Sequence, residues 1–176
     1  NNHYIGKGSI QKSDQPFDLM LSHKKDRAAF VTYEGKVIGF DVDELSYATD
    51  ERIRLTATDY VIASFITHAD DSLLFVTQTG KVIHRESKSI ESSKSSTAKG
   101  QSLIPPSRLE QGVRFMGAAS VRDSDSIAAL DVTGRLQILE ADSMTGSGSI
   151  AVEAWILSIG LIQADGGVKR NSLAKV

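Results

Sequence analysis

The 176-residue sequence contains no cysteine, which excludes disulfides and thiolate metal sites and fits a reducing compartment. It has no apolar stretch near the roughly 20 residues that a membrane-spanning helix needs, and no signal-peptide pattern at its start. A net charge of −2 denies it the global basic character that marks many nucleic-acid binders. Helical periodicity with caps is scarce, and "VDELSYATDERI" (42–53) is the one stretch that reads as a helical turn. The sequence opens on Asn1 and reads as a fragment or the ordered part of a longer chain. What remains, 40% hydrophobic and 24% charged residues, is ordinary for a soluble globular protein. It is enough for one domain or a short array of repeats.

Repetition is the strongest signal present. "AAFVTYEGKVI" (28–38), "LLFVTQTGKVIHR" (73–85) and "IAALDVTGRLQ" (127–137) repeat one phrase, each with an aspartate (Asp26, Asp71, Asp125) at one distance before its glycine. Gly35, Gly80 and Gly134 are spaced by 45 and 54 residues, and a looser copy, "LIQADGGVKR" (161–170), places Gly166 32 residues further on. "YIGKGSIQK" (4–12) reads as the second half of another unit. Each phrase has the form of a hairpin, in which short Val/Ile/Leu/Phe runs meet at a Thr-x-x-Gly or similar turn and glycine supplies a positive φ. Further β-like runs lie upstream: "FDLML" (17–21), "YVIASFI" (60–66), "VRFMGAASV" (113–121) and "AWILSIG" (154–160). Polar turns such as "THADD" (67–71) and "RDSDS" (122–126) join them to the hairpins.

These observations predict an all-β fold of about four blade-like repeats of short antiparallel strands, since one blade cannot bury both its faces alone. Approximate limits are 13–56, 57–100, 101–148 and 149–176, with 1–12 a partial blade, all within a single domain. A β-sandwich whose hairpins are merely alike is the alternative. The Ser/Lys-rich "ESKSIESSKSSTAKG" (86–100) reads as a mobile connector, and "SMTGSGS" (143–149) is similar to it.

From about residue 15 onward the order of segments resembles the C-terminal domain of the A subunit of DNA gyrase and topoisomerase IV. Leu73–Ile83 occupies the place of that family's "LLFFTNxGKVY" strand pair, Ala98–Gln101 that of its "ARGQ" connector end, and Leu109–Gly112 that of its Leu-x-x-Gly segment. "LIQADGGVKRNSLAKV" (161–176) is similar to its closing hairpin "TxxGxVKRxxLxxF". The resemblance implies a β-pinwheel, a propeller-like ring whose blades exchange strands. It also implies a non-catalytic role in binding and bending duplex DNA on a basic rim for the catalytic core of its own A subunit. An ATPase B subunit would complete an ATP-dependent type IIA topoisomerase in the bacterial cytoplasm, associated with the nucleoid. "SYATDERIRLT" (46–56) stands where gyrase carries a Gln-Arg-Arg-Gly-Gly-Arg-Gly-like box and has none of it. With about four blades against the family's five or six, and a slightly acidic balance, the chain reads as more topoisomerase IV-like than gyrase-like. A propeller-like protein-interaction module that has lost DNA binding is the alternative.

Cations recur after the repeat glycines: Lys36, Lys81 with Arg85, Arg135, and Lys169 with Arg170. Lys99, and Arg52 and Arg54 in the variable connector, extend the series. A spaced row of cations suits a phosphate backbone, where affinity comes from counterion release and not from base reading; singly, such residues are ordinary solvated turn flanks. Few aromatics sit beside these cations in sequence, which argues against stacking on single strands, and Tyr33 and Tyr47 read as turn or packing residues. No cofactor, metal or catalytic site is expected. "TGKV" (79–82) lacks the first glycine and the Ser/Thr of a phosphate-binding loop. His3, His23, His68 and His84 have no metal-ligand spacing. Asp26, Asp71 and Asp125 read as turn caps. None of Tyr4, Tyr33, Tyr47 and Tyr60 follows an arginine, as a DNA-cleaving tyrosine of this topoisomerase family would.

Overall fold

A computed structural model describes residues 18, 20, 22–23, 25–45, 53–94, 98–122, 124–144, 154–163 and 168–169. "YIGKGSIQK" and most of "FDLML" therefore lie outside the described residues. The three repeated phrases form the antiparallel hairpins β1 (Arg27–Thr32) with β2 (Lys36–Asp41), β4 (Ser72–Thr77) with β5 (Val82–Glu86), and β8 (Ser126–Asp131) with β9 (Leu136–Glu140). The upstream runs are strands too: β3 (Val61–Thr67), β7 (Phe115–Val121) and β10 (Ile156–Ile162). Two short strands, β6 (Gln101–Ser102) and β11 (Val168–Lys169), complete three sheets with orders β3-β1-β2-β6, β5-β4-β7 and β11-β10-β8-β9.

The sheets cut across the sequence units. β3 pairs with β1 and not with the β4–β5 hairpin that follows it, β7 pairs with β4, and β10 with β8. Each hairpin thus takes its third strand from the next unit. The turns between swapped strand and following hairpin are alike. The carboxylates of Asp26, Asp71 and Asp125 accept the backbone N–H three residues back, from His23 (2.7 Å), His68 (2.9 Å) and Arg122 (2.9 Å). Their carbonyls accept from Val42, Ser87 and Ala141 at the far end of each hairpin. The aspartates are the expected turn caps, and they also pin the crossovers to the outgoing strands.

The unbroken apolar run "LLFV" follows from this stacking. In β4, Leu74 and Val76 pack with Val82, Ile127, Ala129, Ile156 and Ile159 of the third sheet's cluster. Leu73 and Phe75 point the other way, into a cluster with Ala29, Val31, Ile62 and Phe65 of the first sheet. With both faces covered, no polar alternation remains. β3, β7 and β10 pack on one another through the middle of the stack, which leaves β2, β5 and β9 toward the outer margin. β9 is different: Leu136 and Ile138 are 60% and 62% exposed on the third sheet's outer face.

The Ser/Lys-rich connector is not loose where it is described. Ser87–Ser89 forms a 3-10 turn, Ile90 is buried, and Ser92 bridges Gly39. Arg27 donates to Ser92 Oγ and to the carbonyls of Ser87 and Ile90. Serine-rich composition suggested mobility, but these backbone groups are consumed by an arginine and a strand edge of the first sheet. Residues 95–97 lie outside the described set. Past them, β6 adds to β2 (Lys36↔Ser102, Val37↔Gln101). Of the helical stretch at 42–53, Val42–Leu45 forms one turn, and residues 46–52 lie outside the described residues. A second short helix, Pro106–Glu110, starts on a proline and ends where Gly112 takes φ +83°.

Gly35, Gly80 and Gly134 adopt φ of +80°, +77° and +87°, as the hairpin reading requires. A side chain at Gly35 would also meet the Phe115 ring, whereas nothing lies within 4 Å of one at Gly134. Gly134→Ala should therefore cost about 1–2 kcal/mol of left-handed strain. Gly35→Ala should cost that plus about 1–3 kcal/mol of overpacking. Urea denaturation compares the two, and equal losses would mean that Phe115 does not seat on the first turn.

Candidate nucleic-acid interface

The three hairpin turns present their cations by one device. The side chain that opens each turn accepts the backbone N–H of the residue after the glycine. Thr32 Oγ1 accepts from Lys36 (3.0 Å), Thr77 Oγ1 from Lys81 (3.1 Å) and Asp131 Oδ1 from Arg135 (3.1 Å). The carboxyl of Asp131 is held below its ordinary pKa first by the Thr133 hydroxyl, against desolvation, with the N–H groups of Arg135 and Thr133 adding to the effect. It stays an anion that fixes the third turn.

The cations themselves differ. Lys36 is half-buried, its ammonium 3.5 Å from Asp59 Oδ2. Asp59 Oδ1 meanwhile accepts from the backbones of Glu34 and Tyr60, and Oδ2 makes no hydrogen bond, so Lys36 is its charge partner. This lysine secures the first turn. Lys81 and Arg135 are exposed at the second and third turns. Arg85 is exposed further along β5, its guanidinium on the His84 carbonyl (2.9 Å), beside Gln101 and Ser102 of β6. Lys99 is exposed next to Gly100, which packs on Ile38, and the Arg54 backbone bonds to the Ala98 carbonyl (2.9 Å). Arg85 and Lys99 thus meet the margin where β5 and β6 run, with Arg54 beside them. On the same margin, Lys88 pairs with Glu86 (2.9 Å). Lys169 is in β11, opposite Leu161, and Arg170 and Arg52 are outside the described residues.

Sequence spacing did not reveal a second row on the face carrying the turns. The residues that precede the swapped strands are Tyr60, Arg114 and Trp155, and their carbonyls accept the N–H of Tyr33, Gln78 and Val132, one from each turn, all at 2.9 Å. In the other direction, Phe115 N–H donates to Tyr33 and Ile156 N–H to Gln78. Arg114 is thereby seated between the first and second turns, and Trp155 between the second and third. Tyr60 is 50% and Trp155 65% exposed. Tyr33 and Tyr60 stack with centroids 4.9 Å apart, and the Arg114 guanidinium lies 5.8 Å above Tyr33. Partial desolvation, then Tyr33 and Asp59, raises the Tyr60 pKa, so its hydroxyl is uncharged at neutral pH. The sparse aromatics are therefore not remote from the cations, because strand exchange brings residues far apart in sequence onto the turns.

At the opposite ends of the swapped strands a polar ladder joins consecutive units. Arg122 donates to Asp71 Oδ1 (2.9 Å), and His68 lies between Asp71 (3.3 Å) and Asp26 (3.6 Å). Ser120 adds a bond to Asp71 (2.9 Å).

No family model matches the sequence, and no curated protein is significantly similar to it. Solved structures are. A C-terminal domain of DNA topoisomerase IV matches 90% of the chain with a TM-score of 0.73 at 19% identity. This chain has the β-pinwheel fold. The C-terminal domain of E. coli ParC matches 88% of it (TM-score 0.66, 15% identity), and that of DNA gyrase A 86% (TM-score 0.63, 14% identity). The pinwheel described here spans 53%, 68% and 55% of those three chains, respectively.

Burial alone would raise the Asp71 carboxyl, but bonds from the Arg122 guanidinium, the His68 N–H and Ser120 outweigh it and hold its pKa below the ordinary value. A carboxyl depressed on folding stabilises fully above the unfolded pKa of about 3.9 and loses that contribution as pH falls toward the folded value. Arg122→Ala should destabilise the pinwheel by about 1–2 kcal/mol at pH 7, less than a fully buried pair would, because Arg122 is 64% exposed. The deficit should shrink at pH values below about 3. Denaturant midpoints at the two pH values test this, and a pH-independent deficit would assign Arg122 a packing role only.

Proposed function

We propose that this pinwheel is a non-catalytic DNA-binding and DNA-bending domain that engages duplex DNA through the phosphate backbone. The observation carrying the reading is the threefold turn device, which sets a cation at one place on each successive sheet. Fold likeness to topoisomerase domains supports it. Lys81, Arg85, Lys99 and Arg135 form the contact set; Lys169, on β11 at the edge of the third sheet opposite β9, and Arg170, outside the described residues, are further candidates from the sequence. Lys36, engaged by Asp59, serves mainly to hold its turn.

A row of cations separated by sheet spacings of about 10 Å suits a polyanion bent along the margin more than a small ligand. Such binding reads shape and deformability, with little base specificity. In the whole enzyme the domain would present DNA to the catalytic core of its own A subunit. The partner there would be an ATPase B subunit, in an ATP-dependent type IIA topoisomerase of the bacterial cytoplasm and nucleoid. The absence of a gyrase-like box at 46–56 favours a topoisomerase IV-like parent.

The test is a titration with duplex of about 40 base pairs across a salt series. Removing one phosphate-binding cation should reduce the slope of log K on log salt by about 0.9. Replacing Lys81, Arg85, Lys99 and Arg135 together by alanine should weaken binding and flatten that slope by about 3.6. Unchanged affinity and slope would reject the margin as the binding surface and favour a protein-interaction module.

A further inference from the structure

The row of Tyr60, Arg114 and Trp155 on the turn face lies outside the cation set proposed for duplex DNA. It runs in a definite order. Tyr60 stacks on Tyr33 at the first turn, Arg114 stands between the first and second turns, and Trp155 stands between the second and third. Strand exchange sets their spacing, since each precedes a swapped strand belonging to a successive sheet. Exposed flat rings interleaved with cations are the surface on which unpaired bases stack, because every base has a π-face. A duplex hides those faces and offers only its phosphates and groove edges. We propose that the turn face is a binding site for single-stranded DNA, with bases stacked on Tyr60 and Trp155.

The electrostatics suit such a ligand. Arg114 donates one nitrogen to the carbonyls of Leu109 and Val113, and these anchors hold its plane over Tyr33. Lys81 is exposed at the second turn, flanked by the Arg114 and Trp155 positions, where a phosphate linking two stacked bases would pass. The anions of the turns are engaged: Glu34 accepts hydroxyl bonds from Thr58 (2.7 Å) and Thr56 (3.3 Å), Asp59 faces Lys36, and Asp131 accepts from Thr133 and Arg135 of its own turn. Gln78, whose amide is spent on Gly112 and Arg114, stiffens the platform between the rings. A domain that holds duplex on its margin and an unpaired strand on its turn face would grip DNA where the two forms meet. The proposal itself needs only the second surface.

Trp155 is the only tryptophan in the chain and reports directly on its own contact. Titrating the intact chain with an oligothymidylate of about 20 nucleotides at low salt should quench its emission, while a closed hairpin duplex should leave it unchanged. Tyr60→Leu, which keeps apolar packing on Tyr33, and Trp155→Ala should each weaken binding of the labelled oligothymidylate about tenfold, read by anisotropy. Neither should change affinity for duplex. Emission indifferent to oligothymidylate, or both variants binding it as tightly as the parent chain, would overturn the proposal. The double variant Arg85→Ala with Lys99→Ala, which leaves Lys81 of the turn face in place, separates the two readings. Weakened duplex binding with retained quenching would leave the turn-face site standing whatever becomes of the margin, and quenching by duplex alone would overturn the turn-face site.

Discussion

A hairpin covered on both faces still has open edges, and in this molecule the inner edge of each is closed by a strand from the next unit. β3 completes β1, β7 completes β4 and β10 completes β8. Those pairings satisfy backbone groups that would otherwise be buried unpaired beside the stack, at a cost of about 1–3 kcal/mol each. They also force the chain to cross from one sheet to the next at every repeat. The crossing is possible because Asp26, Asp71 and Asp125 close each crossover turn on itself and tie it to the end of the following hairpin. The sheets are thus linked by covalent continuity as well as by the apolar clusters between them.

The same exchange creates two chemically different surfaces. At the margin, exposed cations follow the turn glycines and flank β5 and β6, suiting a ligand of uniform negative charge. On the turn face, the exchanged strands begin with Tyr60, Arg114 and Trp155, each bonded through its carbonyl to a turn of its own sheet. The first surface repeats because the hairpin sequence repeats. The second arises because the exchange places the residue before a strand next to a turn encoded 23 to 36 residues earlier.

Much of this was readable in advance, for identifiable reasons. Val/Ile/Leu/Phe runs meeting at Thr-x-x-Gly or Asp-x-x-Gly have few conformations open to them, and all three glycines adopt the positive φ expected. The aspartates three residues from a backbone donor are equally local, and their caps are in place. The connector at 86–94 was misread because composition reports the average behaviour of Ser and Lys. It does not report that Arg27, some 60 residues earlier, would bind its carbonyls. Lys36 looked equivalent to Lys81 and Arg135, yet buried Asp59, brought in by the loop before β3, engages it. The short helix at Pro106–Glu110 lies in a stretch where period-3.6 patterning is too brief to register.

The sequence by itself determined the local architecture: which residues are strands, where they turn, which glycines and aspartates close the turns, and that the unit recurs. Those features depend on contacts within a few residues, so they are written in consecutive letters. Only the tertiary structure decided which strand completes which hairpin, which cations are half-buried and which are exposed, and that Tyr33, Tyr60, Arg114 and Trp155 share one face. These depend on pairings between residues tens of positions apart, and a repeated sequence leaves more than one such pairing open until the sheets stack.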